Sequence, residues 1–366
     1  MTGYGRQIAL LPCSTIQRVS NVFHPIPPVP FQAKYIYTKA IGSGGEANCD
    51  RYEVDNGSRA YAVKTVVRPS PHTNYLHEAD ILVSLQPKHP LVIEVEEVFQ
   101  DEQLRIVMPL YSGGDLTALL HKFKLFNVKL PEAYAWHLFS QLAEALHYLH
   151  TNQGLPVLHR DLKPENVLID LTDHSHLFDS IKIIDFGMAT TNMEPHDHRA
   201  GTPKYQPPES PRASKAADVW AVGGIMHFLL TGNAPKPECP TEVQDNDRHA
   251  WYSKAPAQIQ HLVDSEHANY SADDQTLALD EAREATHEHH SPLPKSGYSP
   301  LLDHWLKRAL DLNHNNRATT TELITDMAYD ARKQIDFYIQ WIAVSGIRRP
   351  MCGCAYPEPP PGWRPE

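Results

Sequence analysis

Four short stretches of the chain carry side chains with chemical reach. Residues 41–47 read IGSGGEA between two strand-like runs. A turn built from Gly42, Ser43, Gly44 and Gly45 lets backbone N–H groups approach phosphate oxygens with little obstruction from Cβ atoms. Residues 62–64 read AVK on the next run, and an ammonium there, Lys64, can pair with phosphate oxygens. Taken singly, these two are more simply an ordinary hairpin turn and a surface charge. The stretch HRDLKPEN at 159–166 is far more specific. It places a carboxylate (Asp161), a cation (Lys163) and an amide (Asn166) in one loop. The last stretch, DFG at 185–187, follows the apolar run IKII. A carboxylate at a strand end, Asp185, can hold Mg²⁺ against phosphates.

These groups need a scaffold, and the patterning supplies one. KYIYTKAIG, ANCDRYEV and RAYAVKTVV read as three strands, with a hairpin signal at Asp55–Asn56–Gly57–Ser58. Residues 74–86 place Leu76, Ala79, Ile81, Leu82 and Leu85 at helical spacing. Pro87 and Pro90 stop that helix. VIEVEEVF and LRIVMPL read as two further strands, so a small five-stranded β lobe with one helix ends near Tyr111–Gly114. The remainder reads as helical. Pro131 opens a helix over 131–152 with Leu138, Leu142, Leu146 and Leu149 on one face. Residues 214–231 are nearly all apolar after Asp218 and belong in the centre of a core, and 299–312 and 319–342 are amphipathic.

In their order and spacing, the four stretches resemble the signature set of the eukaryotic protein kinases, over residues 34–345. GTPKYQPPE at 201–209 is similar to the end of that family's activation segment, and Asp218–Val219–Trp220 to its central-helix motif. The resemblance implies an α+β, bilobal kinase fold and an enzyme that transfers the γ-phosphoryl of Mg-ATP to protein hydroxyls. It assigns Lys64 to the α/β-phosphates, paired with Glu78. Glu94, Glu96 and Glu97 are poor partners because they lie past the helix-stopping prolines. By the same resemblance Asp161 takes or orients the substrate proton, Lys163 steadies the phosphoryl, Asn166 and Asp185 bind Mg²⁺, and Thr202 shapes the acceptor site. Cys49 and Ala62 form the adenine roof and Leu168 its floor. Met108 controls the back pocket, Pro109, Leu110 and Tyr111 form the hinge, and Asp115 approaches the ribose. Leu82, Val95, His159 and Phe186 match the family's stacked apolar column, and Arg317 is matched to Glu209. The form DLKPEN, with Lys163, is that of serine/threonine kinases. A partner-binding pseudokinase scaffold is the alternative, and the intact Lys64, Asp161, Asn166 and Asp185 speak against it.

The chain departs from the family pattern in places. Ala47 stands for the third loop glycine, Pro109 for a residue usually acidic, and Pro207 for Ala. The family's usual activation-segment phosphorylation position is His198, beside Asp197. Between Asp185 and Glu209 only Thr190, Thr191, Thr202 and Tyr205 carry hydroxyls. We expect activity without a switch phosphate, with Asp197 giving Arg160 a fixed carboxylate.

Residues 1–33 read as an N-terminal extension whose HPIPPVP is polyproline linker. The lobes are expected at 34–111 and 112–345, with insertions at 170–180 and 233–298 and a Pro-rich tail at 346–366. Insertion 233–298 and the Pro-rich termini are the places for regulatory protein partners, although a solvated loop or linker is the simpler reading of each. A formal charge of −11 argues against nucleic acid or an anionic membrane as partner. Five scattered cysteines make no disulfide framework and fit a reducing, intracellular compartment, cytoplasmic or nuclear. The 22 histidines read as dispersed imidazoles, with His287–Glu288–His289–His290 the densest candidate for a metal. No apolar run is long enough to span a membrane.

Overall fold

The computed structural model describes residues 30–43, 47–54, 57–67, 75–101, 103–172, 177–195, 201–209, 212–236 and 298–345. Gly44, Gly45, Asp197, His198, the HEHH run, most of the extension and of insertion 233–298, and the tail lie outside them. The described residues divide into two compact units. One comprises the chain up to Val83 together with Glu94–Leu110, and the other comprises Ser84–Ile93 with the chain from Tyr111 onward.

In the first unit, α1 (Phe31–Lys34) precedes β1 (Ile36–Ser43), β2 (Ala47–Val54), β3 (Arg59–Val66), α2 (Tyr75–Ser84), β4 (Glu97–Gln100) and β5 (Leu104–Pro109). The strands form one antiparallel sheet in the order β1-β2-β3-β5-β4. Its register sets Cys49 opposite Lys64 and Ala62 opposite Met108. Alternation along β3 buries Val63 and Thr65.

Phe31, read from sequence as part of the extension, is a core residue here. It is 2% exposed and lies among Tyr35, Val54, Val63 and Val107. Its ring stacks on Tyr35 at 5.1 Å, meets Tyr52 and Phe99 edge-on, and carries the Arg105 guanidinium at 4.7 Å. Tyr35 donates its hydroxyl to Glu97 at 2.9 Å, which pins the far end of the same layer. Phe31→Ala removes the anchor of this aromatic layer. It is expected to cost about 3–5 kcal/mol of stability in urea unfolding. A loss under about 1 kcal/mol would show that the layer closes without it.

The expected strand over 92–99 is shorter than its alternation suggested. Only Glu97–Gln100 joins the sheet. Upstream, Val92 bridges Ile183 of the second unit, with Ile93 N–H donating to Ile183 O at 3.0 Å and Ile183 N–H to Leu91 O at 2.8 Å. The apolar run is real, but its first half satisfies a different partner.

The second unit holds α3 (Leu116–Leu125), α4 (Glu132–Thr151), the hairpin β6 (Val167–Asp170) and β7 (Ser180–Ile183), α5 (Lys215–Thr231) and α6 (Pro300–Ala309). Then α7 (Thr320–Glu322) runs through a π-turn (Leu323–Met327) into α8 (Ala328–Ser345). Helix α3 went unread in the sequence. Asp115 caps it by accepting from Ala118 N–H at 2.7 Å. Helix α5 is apolar on every side and buried, as its composition requires. Ser214 caps its start, and Gly232, at φ +83°, closes its end. A methyl on Gly223 would come within 2.9 Å of the Ala309 and Leu310 side chains, so those side chains at the end of α6 pack directly against the α5 backbone.

The stretch 170–180, expected to be a solvated insertion, is anchored at Phe178. That ring is 3% exposed and stacks on Tyr134 at 4.7 Å, with Tyr338 at 5.9 Å. Residues 173–176 lie outside the described set.

Candidate active site

Lys64 extends from β3 in the first unit. Its Nζ donates to Glu78 Oε2 at 2.7 Å, with the carboxylate side chain 8% exposed and the ammonium 24%. Glu78 sits in the first turn of α2. Glu97 is committed elsewhere, to Tyr35 and Lys34. Cys49, cross-strand from Lys64, is half-buried. Burial pushes its thiol pKa up, and the Lys64 charge pulls in the opposite direction. Gly42 and Ser43 end β1 opposite Cys49 and Asn48, and a Cβ on Gly42 would meet nothing within 4 Å. Met108 and Pro109 close β5, with Leu110 just beyond.

The second unit gathers the other groups. The loop from His159 to Asn166 leads into β6, and Asp185 follows β7, so the hairpin positions both. Ile184 N–H donates to Asn166 O at 3.0 Å and ties the two loops together. Asp161 is the hub. Its Oδ1 accepts from Thr202 N–H at 2.6 Å and Thr202 Oγ1 at 2.7 Å, and its Oδ2 accepts from Lys163 Nζ at 2.8 Å. Lys163 also reaches Thr202 Oγ1 at 2.9 Å. Asn166 Nδ2 donates to Asp161 O at 2.8 Å. A carbonyl only accepts, so this bond fixes the amide and turns Asn166 Oδ1 away from Asp161.

The loop conformation is expensive, and buried groups hold it. Arg160 and Asp185 sit at φ +69° and +65°, where side chains are disfavoured. Asp218 is 2% exposed and accepts from His159 N–H and Arg160 N–H, each at 2.9 Å, and from His150 Nε2 at 2.9 Å. Burial alone would raise its pKa, but those donors keep it below the usual carboxylate range. His159 Nδ1 accepts from Asp161 N–H at 3.3 Å, which puts the ring proton on Nε2, facing Ile184 O at 3.1 Å. The same ring lies 4.8 Å from Phe186. Gly201, at φ +84°, runs so close to Arg160 O that a Cβ would collide with it. Arg160 carried no sequence cue for its positive φ, and Asp185 only the general tolerance of Asp for that region.

Arg317 grips Glu209 with two bonds, at 2.7 and 2.9 Å, and caps Ala216 O and Asp311 O as well. Its guanidinium also lies 5.0 Å from the Trp220 ring centre. Of the remaining sequence candidates, Leu168 lies on β6 and bridges Asp115, and the Tyr111 ring lies under Lys182 at 5.4 Å. No group of three or more metal-ligating residues occurs among the described residues. Nor is any described helix long and apolar enough to cross a membrane.

Comparison with known proteins agrees with this geometry. The protein kinase domain model matches residues 35–327. Calcium-dependent protein kinase 5 of Plasmodium falciparum is 34% identical over 201 residues, 53% of this chain and 34% of that protein. The cAMP-dependent protein kinase type 3 of Saccharomyces cerevisiae is 31% identical over 208 residues, 54% of this chain and 48% of its own length. Serine/threonine-protein kinase ULK3 of Rattus norvegicus is 30% identical over 213 residues, 55% of this chain and 42% of its own. The chain thus spans between a third and a half of these relatives. With the family match running over most of its length, from the first sheet into the last helices, the chain belongs to the protein kinase domain family.

Proposed function

We propose that the chain is an active serine/threonine protein kinase. The observation that carries this reading is the closed Asp161–Lys163–Thr202 cluster, in which a carboxylate and an ammonium converge on one threonine hydroxyl. A carboxylate so placed can orient an acceptor hydroxyl and take its proton, while Lys163 offsets charge on the moving phosphoryl. The serine/threonine assignment rests on Lys163, two residues after Asp161, and on relatives whose names carry that specificity.

The residues fit Mg-ATP. Asn166 has its amide hydrogens turned to Asp161, leaving an oxygen donor, and Asp185 supplies a carboxylate from an adjoining loop. When bound, Mg²⁺ neutralises charge on the phosphates. Lys64, held by Glu78, would pair with the α/β-phosphates, and the backbone N–H groups around Gly42 and Ser43 would be available to phosphate oxygens. By the family resemblance, Cys49, Ala62, Met108, Leu110, Tyr111 and Leu168 are the residues proposed for the adenine, and Asp115 for the ribose. The substrates are proteins bearing Ser or Thr, met inside the cell, with the segment 233–298 and the Pro-rich termini as regulatory docking places.

Activity is expected without a phosphate on the activation segment. Thr202 is bonded to Asp161 and Lys163, Tyr205 is 4% exposed, Thr190 Oγ1 accepts from Asn192 N–H at 3.2 Å, and Thr190 and the exposed Thr191 both sit early in the segment, away from the family's switch position. Phosphatase treatment should leave the rate unchanged; a large loss would reveal a switch phosphate. A second check uses Cys49. An adenine-like electrophile should alkylate it slowly, and Mg-ATP should suppress the labelling seen by mass spectrometry. Labelling indifferent to ATP would remove Cys49 from the nucleotide site.

The function itself is tested by incubating the purified chain with Mg-ATP and an array of protein-derived peptides, followed by phosphoamino-acid analysis. Phosphoserine and phosphothreonine are expected. Tight nucleotide binding without transfer to any peptide would favour the scaffold reading.

A further inference from the structure

Helix α3 turns one face inward and leaves the other uncovered. Leu116, Leu119, Leu120 and Phe123 repeat at helical spacing and are buried. At the end of the same helix Leu125 and Phe126 are 68% and 64% exposed, and Val128 is 41% exposed. Fraying does not cause this. Asn127 takes a left-handed φ of +50°, Val128 N–H donates to Phe123 O, and Asn127 N–H donates to Lys124 O, both at 3.0 Å. That is a closed helix-ending turn, and it presents the three apolar side chains to solvent. Lys122, Lys124 and Lys129 are exposed among them. No Asp or Glu occurs from Leu116 to Pro131, so the face is a basic, apolar island in a chain of formal charge −11. An apolar surface rimmed by one sign of charge marks a binding face.

The chain itself carries the complementary chemistry and brings it back to this place. Residues 237–297 lie outside the described residues, and the chain re-enters them at Tyr298. The Tyr298 hydroxyl donates to Leu130 O at 2.9 Å, and its ring centre lies 5.9 Å from Lys129 Nζ. Ser299 N–H then donates to Glu132 Oε2 at 2.8 Å. The outgoing end passes the same surface, because a Cβ on Gly232, at the end of α5, would come within 2.9 Å of Lys124 Nζ. Between these two ends, the stretch 264–284 interleaves seven carboxylates with Tyr270, Leu277 and Leu279, against one cation, Arg283. The thirteen residues from Glu284 to Tyr298 reach about 45 Å when extended, so the tether does not limit contact.

We propose that the acidic, apolar stretch 264–284 docks within its own chain on the Leu125–Phe126–Val128 face, with its carboxylates toward Lys124 and Lys129. This goes beyond the catalytic reading and does not depend on it. Exposed ion pairs add little singly, so the contact also needs Leu125 and Phe126 covered by Leu277 and Leu279, while the charges select which segment binds. Tethering favours the chain's own stretch over a separate partner, because a short linker holds it at about millimolar effective concentration.

The test uses the full chain and a fluorescein-labelled peptide of residues 264–284, read by anisotropy. In one variant, Asp273→Asn, Asp274→Asn, Asp280→Asn and Glu281→Gln together neutralise the chain's own stretch. The peptide should bind this variant roughly tenfold or more tighter than the wild-type chain, whose face is already covered. Adding Leu125→Ser and Phe126→Ser should remove that binding with an unaltered melting curve, since both side chains are exposed. Equal binding to the wild-type and neutralised chains, or binding that survives the loss of Leu125 and Phe126, overturns the proposal. A second measurement needs no variant. A mixture of isotopically light and heavy wild-type chains is treated with a carbodiimide, which joins touching ammonium and carboxylate groups directly. Links from Lys124 or Lys129 to carboxylates of 264–284 are expected, always within one chain. Links that join light to heavy chains would make a second copy the occupant, and no link to 264–284 would leave the face without it; either result overturns the proposal. So would wild-type binding to phosphatidylserine vesicles that Leu125→Ser and Phe126→Ser abolish, because the face would then be open to a membrane.

Discussion

Asp161→Asn is expected to slow phosphoryl transfer by about 10²–10⁴-fold while leaving Mg-ATP affinity near wild type. The loss follows from geometry. Asp161 receives Thr202 on one oxygen and Lys163 on the other. An amide turns two hydrogens toward one of those donors, so the cluster opens as well as losing its proposed base. A stability loss of about 1–3 kcal/mol should accompany it, because a buried donor goes unpaired. Asp185→Asn should stop transfer too, but by weakening Mg-ATP binding. Nucleotide titration of the two variants separates them. If both bind Mg-ATP alike and both transfer at the wild-type rate, neither carboxylate has the role given to it.

Arg317→Ala should produce the largest structural loss, about 3–5 kcal/mol. The Arg317 side chain is fully buried and Glu209 is 11% exposed, so truncation strands a carboxylate away from water. It also frees the carbonyls of Ala216 and Asp311 and removes the cation from the Trp220 ring. Arg317→Lys should recover only part of this, since an ammonium cannot make the two parallel bonds. Urea unfolding reads both variants. A loss below about 1 kcal/mol for Arg317→Ala would mean that water reaches Glu209.

The sequence showed the scaffold where one physical rule dominated. Two-residue alternation marked β1, β2, β3 and β5, and the uniformly apolar run after Asp218 marked the buried α5. Pro87 and Pro90 marked the end of α2, which made Glu78 the better partner for Lys64 than Glu94, Glu96 or Glu97. Periodicity failed where a single residue or a distant partner decided. Phe31 and Phe178 are lone aromatics outside any periodic run, yet each anchors a layer through ring contacts with residues remote in sequence. Residues 92–96 alternate as a strand should, but Val92 and Ile93 bond to Ile183 instead of the sheet.

The central claim, phosphoryl transfer by an intact Asp161–Lys163–Thr202 cluster with Lys64, Asn166 and Asp185 on Mg-ATP, meets its most direct test in a time course with γ-labelled ATP. The phosphatase-treated chain and its Asp185→Asn variant are compared on one serine-containing substrate. The account predicts steady incorporation into serine by the wild-type chain and none above background in the variant. Labelling by the wild-type chain no faster than by the variant, with Mg-ATP bound, would contradict it.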